Sequence, residues 1–482
     1  MNKTIRNASV FTLLLVLALL VRATWVQFYD SKALADDKLN RRNAIEQYAN
    51  PLGDIIVGGD AVTGSERTKG GDLKYKRTYK DGDLYSSVTG YSSQVYGATQ
   101  LEGIYKDVLD GTDTRLKNPL DTLTNKRADP GDVITTIDPA VQKAAYKSLG
   151  DKKGAAVAVD PKTGKILGLV STPSYDPSDI SGSTDSKEWQ ALLKDEEKPM
   201  VNRALRQPLP PGSTFKLVVA AAALEDGLYG SADTGTDSPN PYTLPGTRTV
   251  LKNESASAPC EDASIRTALQ YSCNNVFAKL AVDLGQDKVK AMAEKMGFNT
   301  DKLDVPVRAS ESVYPSDMDK AQTALTGIGQ FDVTATPLQM SMVTGAIANG
   351  GELVSPHMVS QITDSNGDVL DSFDDADSER VMSEDTASQL QSAMETVVEK
   401  GTGTNARISG ADVGGKTGTA QHGENNSKTP YAWFTSYAKG SDGKEVAVAV
   451  IVESSDAARS EVSGNGLAAP IAKSMMSAAL KR

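Results

Sequence analysis

At 482 residues, with 39% hydrophobic and 23% charged residues, the chain exceeds one typical domain and has ordinary globular composition. This predicts two folded units plus an extra segment and excludes wholesale disorder. A formal net charge of -11 without a dense Lys/Arg run excludes nucleic acid as the main partner.

The N-terminus places Lys3 and Arg6 ahead of an apolar run from Val10 to Val21. Extended through Arg22, whose long side chain snorkels, to Trp25, Val26 and Phe28, the run approaches the ~20 residues that span a bilayer. The expected division is a cytoplasmic tail over 1–8 and a single transmembrane anchor in the lipid bilayer over 9–28, with Trp25 and Tyr29 at the outer interface. Positive charge ahead of the run puts that end in the cytoplasm and the rest outside the cell membrane. A cleaved signal is the alternative, since Val21-Arg22-Ala23 loosely imitates a cleavage site. Both readings make the bulk of the chain extracytoplasmic.

Residues 29–130 are polar and rich in Tyr, Gly and Asp. "NPLGDIIVGGDAVTG" and "YSSVTGYSSQVYGATQLEG" read as strands and turns, a pedestal rather than a catalytic core. A second unit, 131–482, opens with a strand and an amphipathic helix in "DVITTIDPAVQKAAYKSLG" and a β-hairpin across Pro161-Lys162-Thr163-Gly164. Helical patterns dominate 213–350, strands return in "PYAWFTSYAKGSDGKEVAVAVIVES", and an amphipathic helix closes the chain. Strands near both ends of this unit, with helices between, predict an α+β fold: one antiparallel sheet built from distant segments and covered by helices. Cys260 and Cys273, outside the membrane, close a short disulfide loop worth about 3 kcal/mol or remain two buried thiols.

The two histidines, His357 and His422, lie far from any Cys or acidic ligand pattern, so neither a metal site nor a Ser-His-Asp triad is expected and the chemistry needs another base. "PPGSTFKLVVAAAALEDG" supplies one. Two prolines and a glycine stop any preceding structure, a helix begins at about Ser213, and spacing of three puts Ser213 and Lys216 on one face within hydrogen-bond reach. The helix has no polar face before Glu225, so it is buried on all sides. Desolvation drives the lysine toward a neutral amine, a general base beside a hydroxyl at the positive end of the helix dipole. The plain alternative is an N-cap serine and a snorkelling lysine. In "IRTALQYSCNNVFAKLAVDLG", Ser272-Cys273-Asn274 falls at a break between helices, a proton relay and an amide ligand or simply a turn. In "DVGGKTGTAQ", Lys416-Thr417-Gly418-Thr419 forms a strand whose glycines admit another backbone, as in peptide capture at a sheet edge. A phosphate loop has its lysine before a helix, and here strands follow.

The three motifs in this order resemble those shared by penicillin-binding proteins and class A β-lactamases. The chain is similar to class B penicillin-binding proteins, the penicillin-binding protein A group of actinobacteria among them, also in "VNRALRQPLPPGSTFK" and "GIGQFDVTATPLQMSMVTGAIANGG". The resemblance implies a transpeptidase domain with an all-helical subdomain over 131–482, on an elongated β-rich pedestal or dimerisation domain. It implies Ser213 as the acylated nucleophile, Lys216 as its base, and Ser272 as the relay that protonates the leaving amine, assisted by Lys416. Asn274 then binds the substrate's side-chain amide and holds Lys216, Thr417 and Thr419 take the terminal carboxylate beside Gly418, which also binds substrate, and the N–H groups of Ser213 and Thr419 form an oxyanion hole. Simple alternation sets Lys416 on the face opposite Thr417 and Thr419, so a twist or bulge at the glycines is expected.

Cys273 stands where the β-lactamase pattern has Asp, and Glu311 does not match the β-lactamase deacylating glutamate. An acyl-serine without equipment for hydrolysis passes to an amine, which favours D,D-transpeptidation of peptidoglycan stem peptides ending in D-Ala-D-Ala, trapped by β-lactams, with no cofactor. A D,D-carboxypeptidase or β-lactamase, and a non-enzymatic β-lactam sensor or wall-assembly scaffold, are the alternatives. Residues 29–130 are too few for a glycosyltransferase, so glycan strands come from a partner, a polytopic membrane polymerase by family resemblance.

Overall fold

The computed structural model describes residues 3–30, 41–117, 127–373, 376–423, 427–457, 459 and 461–481. Helix α1 (Lys3–Trp25) continues into a π-turn over Val26–Asp30, and none of its residues is buried. It is long and apolar enough to cross a membrane.

In the N-terminal part, β1 (Ile55–Val57) turns through Gly58 and Gly59, both at positive φ, into β2 (Asp60–Ala61). Two left-handed residues in succession twist the chain to match the strands they join, and glycine meets that requirement without steric conflict. The start of "YSSVTGYSSQVYGATQLEG", expected as strands and turns, instead belongs to helix α2 (Gly82–Thr89). Tertiary burial overrides its β-type composition: Tyr85, Ser86, Ser87, Val88 and Thr89 are all buried. Thr89 donates one turn back to Tyr85 O, and Ser87 donates to the sequence-distant Leu169 O.

Next come β3 (Asp132–Thr135), α3 (Pro139–Leu149), β4 (Lys153–Val159) and β5 (Ile166–Thr172). Asp138 caps α3, accepting from the backbone of Ala140 and Val141, and Pro139 fills the first helical position, where its missing N–H has no partner to lose. The central helices are α4 (Lys216–Glu225), α5 (Ile265–Tyr271), α6 (Asn274–Leu284) and α7 (Pro337–Ala348). Strands β6 (Val359–Thr363) and β7 (Val369–Ser372) precede α8 (Glu384–Lys400). Strands β8 (Ala411–Ala420), β9 (Tyr431–Gly440) and β10 (Glu445–Ser454) then lead to the closing α9 (Ala469–Ala479).

Two five-stranded sheets organise the molecule. One, in the order β7-β6-β3-β1-β2, draws strands from both parts of the chain, with β1 and β3 parallel. The other, β8-β9-β10-β4-β5, is antiparallel throughout. Its strands alternate between two cores, as a period of two requires. Ala155, Val157, Ala449 and Ile451 join the core that includes α4 and α7. Ala156, Ala158, Val448 and Val450 join the one that includes α3 and α9. Both faces are covered, which is why β10 reads as an unbroken apolar run rather than an alternating one. The sheet's edge, β8, is left free to lie against the turn that precedes α4.

Candidate active site

Ser213 lies in a 3-10 turn, Gly212–Phe215, that feeds into α4; the regular helix begins at Lys216, three residues after the expected start. Lys216 through Ala223 are all buried, as the missing polar face requires. The turn is wedged between two backbones. On one side Gly212 N–H donates to Gly329 O at 3.0 Å, and a Cβ on Gly329, whose φ is +67, would lie 2.0 Å from Gly212 O. On the other, a Cβ on Gly418 would lie 2.9 Å from Pro211 O and 3.1 Å from Thr214 Cγ2. Only glycine lets edge strand β8 pack this closely on the residues flanking Ser213.

Lys216 is fully buried. Its Nζ donates to Ser272 O and to Asn274 Oδ1, both at 2.8 Å, and lies 3.3 Å from Ser272 Oγ and 5.5 Å from the centre of the Phe277 ring. Burial, and then the positive charge of Lys416, hold its pKa well below the usual lysine range, and Glu254 acts in the opposite direction. The expected hydrogen bond between Lys216 and Ser213 is not formed: the two strong acceptors of the second motif turn the amine toward themselves.

Ser272 ends α5 in the left-handed region, φ 58 and ψ 42, and α6 starts two residues later at Asn274. An ordered non-glycine residue in this conformation is a strained turn held by its surroundings. A disulfide and three hydrogen bonds hold the residues that follow it. Cys273 is joined to Cys260 by a disulfide. Asn253 Oδ1 accepts from the N–H of Asn274 at 2.6 Å and of Asn275 at 3.4 Å, and Asn274 Nδ2 donates to Lys252 O at 2.9 Å.

The third motif comes from β8. Its register with β9 runs without interruption from Ala411↔Gly440 to Ala420↔Tyr431, so, of the twist or bulge expected at the glycines, the bulge is absent. The long lysine side chain does what the bulge was invoked to do. Lys416 Nζ curls over its own following peptide, donating to Thr417 O at 3.0 Å, and reaches Ser272 Oγ at 2.9 Å. Lys416 is fully buried, and burial pushes its pKa down to about 7, with Glu254 acting in the opposite direction. Thr417 Oγ1 lies 2.9 Å from Thr402 Oγ1, and Thr419 is half-buried on the same strand.

The fold therefore gathers Ser213, Lys216, Ser272, Asn274, Lys416, Thr417, Gly418 and Thr419 from three distant segments. Lys252, Asn253, Gly329 and Thr402 also belong to it and were not assigned from the sequence. Gly329 falls within the quoted "GIGQFDV" run and Thr402 within a Gly-Thr repeat, whereas Asn253 sits in a polar loop that carries no pattern.

Comparison with known proteins gives this geometry a context. The family model for the penicillin binding protein transpeptidase domain matches residues 154–477, and that for the penicillin binding protein A dimerisation domain matches residues 52–133. Peptidoglycan D,D-transpeptidase PbpA of Mycolicibacterium smegmatis is 35% identical over 497 aligned positions, covering 100% of this chain and 99% of that one. PbpA of Mycobacterium tuberculosis is 35% identical over 495, with the same coverage. Penicillin-binding protein A from M. tuberculosis, solved as a ceftriaxone acyl-enzyme complex, superposes with a TM-score of 0.83 at 34% identity, covering 90% of this chain and 100% of that one. With two thirds of its length in the transpeptidase domain and full-length relatives at this identity, the chain belongs to the penicillin-binding proteins.

Proposed function

We propose that Ser213, Lys216, Ser272 and Lys416 carry the peptidoglycan D,D-transpeptidase activity of this chain, and that Asn274, Thr417, Gly418 and Thr419 bind its donor peptide. The observation that supports this most is the state of Lys216. Fully buried, with its Nζ donating to Ser272 O and Asn274 Oδ1 at 2.8 Å and to Ser272 Oγ at 3.3 Å, it is driven by burial toward the neutral amine, whose lone pair takes the Ser213 proton.

In acylation, Ser213 Oγ gives its proton to Lys216 Nζ and attacks the carbonyl carbon of the penultimate D-Ala. The developing oxyanion lies between the N–H groups of Ser213 and Thr419, where each donor of this kind is worth about 2.7 to 4 kcal/mol. Ser272 Oγ accepts a hydrogen bond from Lys416, so its own proton points to the leaving nitrogen. The C–N bond breaks, D-Ala departs with that proton, and Lys416 replaces it. The acceptor amine then attacks the acyl carbon, its proton passes through Ser272 Oγ back to Lys416, and Lys216 returns its proton to Ser213 Oγ as the ester C–O bond breaks. β-Lactams enter the first step, and their ring amide leaves no departing group to make room for the acceptor.

Helix α1 anchors the enzyme in the membrane, with Lys3 and Arg6 on the cytoplasmic side and the catalytic part outside. The glycan strands it cross-links come from a polytopic membrane polymerase. The test is incubation of the full chain with an acyl-D-Ala-D-Ala donor and an amine acceptor. Cross-linked amide is expected, and Ser213→Ala makes none. Free acid as the sole product would replace transpeptidation by hydrolysis.

A further inference from the structure

The acceptor must reach the acyl-enzyme as a cation, because an aliphatic amine is protonated at neutral pH. The two lysines of the site do not provide a counter-charge. Glu254 does. Its neighbours Lys252 and Asn253 are pinned to the start of α6 by the Asn274 hydrogen bonds, and Asn253 is fixed further through Asn240 and Asn275. Glu254 is thereby held on the Asn274 side of Ser272, whereas Thr417 and Thr419 belong to edge strand β8. Its side chain is exposed, it makes no hydrogen bond or ion pair among the described residues, and its charge reaches both Lys216 and Lys416. A carboxylate with no hydrogen bond or ion pair among the described residues, next to the two residues bonded to Asn274, is a docking point for an incoming ammonium group.

We infer that Glu254 is a specificity-determining residue for the second half-reaction, recruiting the protonated amine of the acceptor strand. This rests on the acyl-transfer reading above. The carboxylate draws the ammonium to the acyl-Ser213 ester. There the acceptor releases one proton to solvent before attack, its second proton passes through Ser272 Oγ to Lys416, and Lys216 returns the Ser213 proton as the ester breaks.

The test uses the full chain, diacetyl-lysyl-D-alanyl-D-alanine as an uncharged-side-chain donor, and two nucleophiles: D-alaninamide, a cation, and hydroxylamine, uncharged at neutral pH. For Glu254→Gln, the ratio of aminolysis to hydrolysis with D-alaninamide falls about tenfold, the lower end of what a local field does to a charged reactant. The ratio with hydroxylamine stays at the wild-type value, and Glu254→Asp recovers most of the loss. Added salt lowers the D-alaninamide ratio of the wild type and leaves that of Glu254→Gln flat. Equal losses with both nucleophiles overturn the proposal by making Glu254 a support of the Asn274 loop. An unchanged ratio with a raised donor KM overturns it by assigning Glu254 to the donor. Failure of the underlying acyl-transfer reading is distinguishable, because then the wild type itself forms no acyl-enzyme from the donor.

Discussion

Lys416 Nζ donates to Ser272 Oγ across 2.9 Å, joining the third motif to the second, while Lys216 approaches the same serine from α4. The two amines are electrostatically coupled: a charge on Lys416 disfavours a charge on Lys216. Below about pH 7, where Lys416 carries its proton, that coupling helps keep Lys216 neutral. Replacing Lys416 with Met removes the repulsion, so Lys216 holds its proton to higher pH. Stopped-flow acylation by a chromogenic cephalosporin is expected to show the ascending limb of the pH profile moved upward in Lys416→Met, in addition to a lower plateau.

The same lysine makes a separate prediction about stability. Its pKa is about 7 in the folded chain and about 10.4 in an unfolded one. Between these values the unfolded chain binds more protons, so its contribution to stability rises with pH, by about 1.4 kcal/mol per unit, and is at its least favourable below about pH 7. Chemical denaturation at neutral and alkaline pH is expected to show a smaller rise, or a steeper fall, for Lys416→Met than for the wild type.

Gly418 tests the close approach of β8 to the turn that holds Ser213. An added Cβ meets the backbone oxygen of Pro211, which has little room to move. Gly418→Ala is expected to lower stability by about 1 to 3 kcal/mol through overpacking. It is also expected to slow penicillin acylation by at least about tenfold, because the N–H of Thr419 shifts with the strand. Thermal unfolding and gel labelling with fluorescent penicillin measure the two effects.

The three motifs and their order were legible in the sequence because each carries its chemistry locally: proline and glycine before Ser213, an apolar surround for Lys216, glycines around Lys416. So was the sheet, because β4, β9 and β10 are strongly apolar runs with clear turn residues. What was not legible depended on tertiary contacts. Residues 82–89 look like strand by composition and are helical because their hydroxyls find partners in a buried setting. The bulge expected at the glycines rested on side-chain alternation alone, which ignores how far a lysine bends back along its own strand. Asn253 left no trace, since a polar loop residue that satisfies the N–H groups of a distant helix has no period and no motif.

Asn253 gives a further test of the scaffold. Its Oδ1 satisfies the first N–H groups of α6, the service an N-cap side chain performs, and its loss is expected to lower stability by about 1 kcal/mol. The larger effect of Asn253→Ala is on function. Asn274 loses its anchor and Lys216 an ordered acceptor, so acylation falls more than stability alone explains. Comparing penicillin acylation with the unfolding midpoint separates the two.

The central claim is that Ser213 is the nucleophile and that a neutral Lys216 takes its proton. It is tested most directly by mass spectrometry of penicillin-treated protein, with the adduct mapped to a peptide. The account predicts one penicilloyl group on Ser213, none in Ser213→Ala, and accumulation slowed by at least about 100-fold in a folded Lys216→Ala. An adduct on any other residue, or undiminished acylation in the lysine variant, contradicts it.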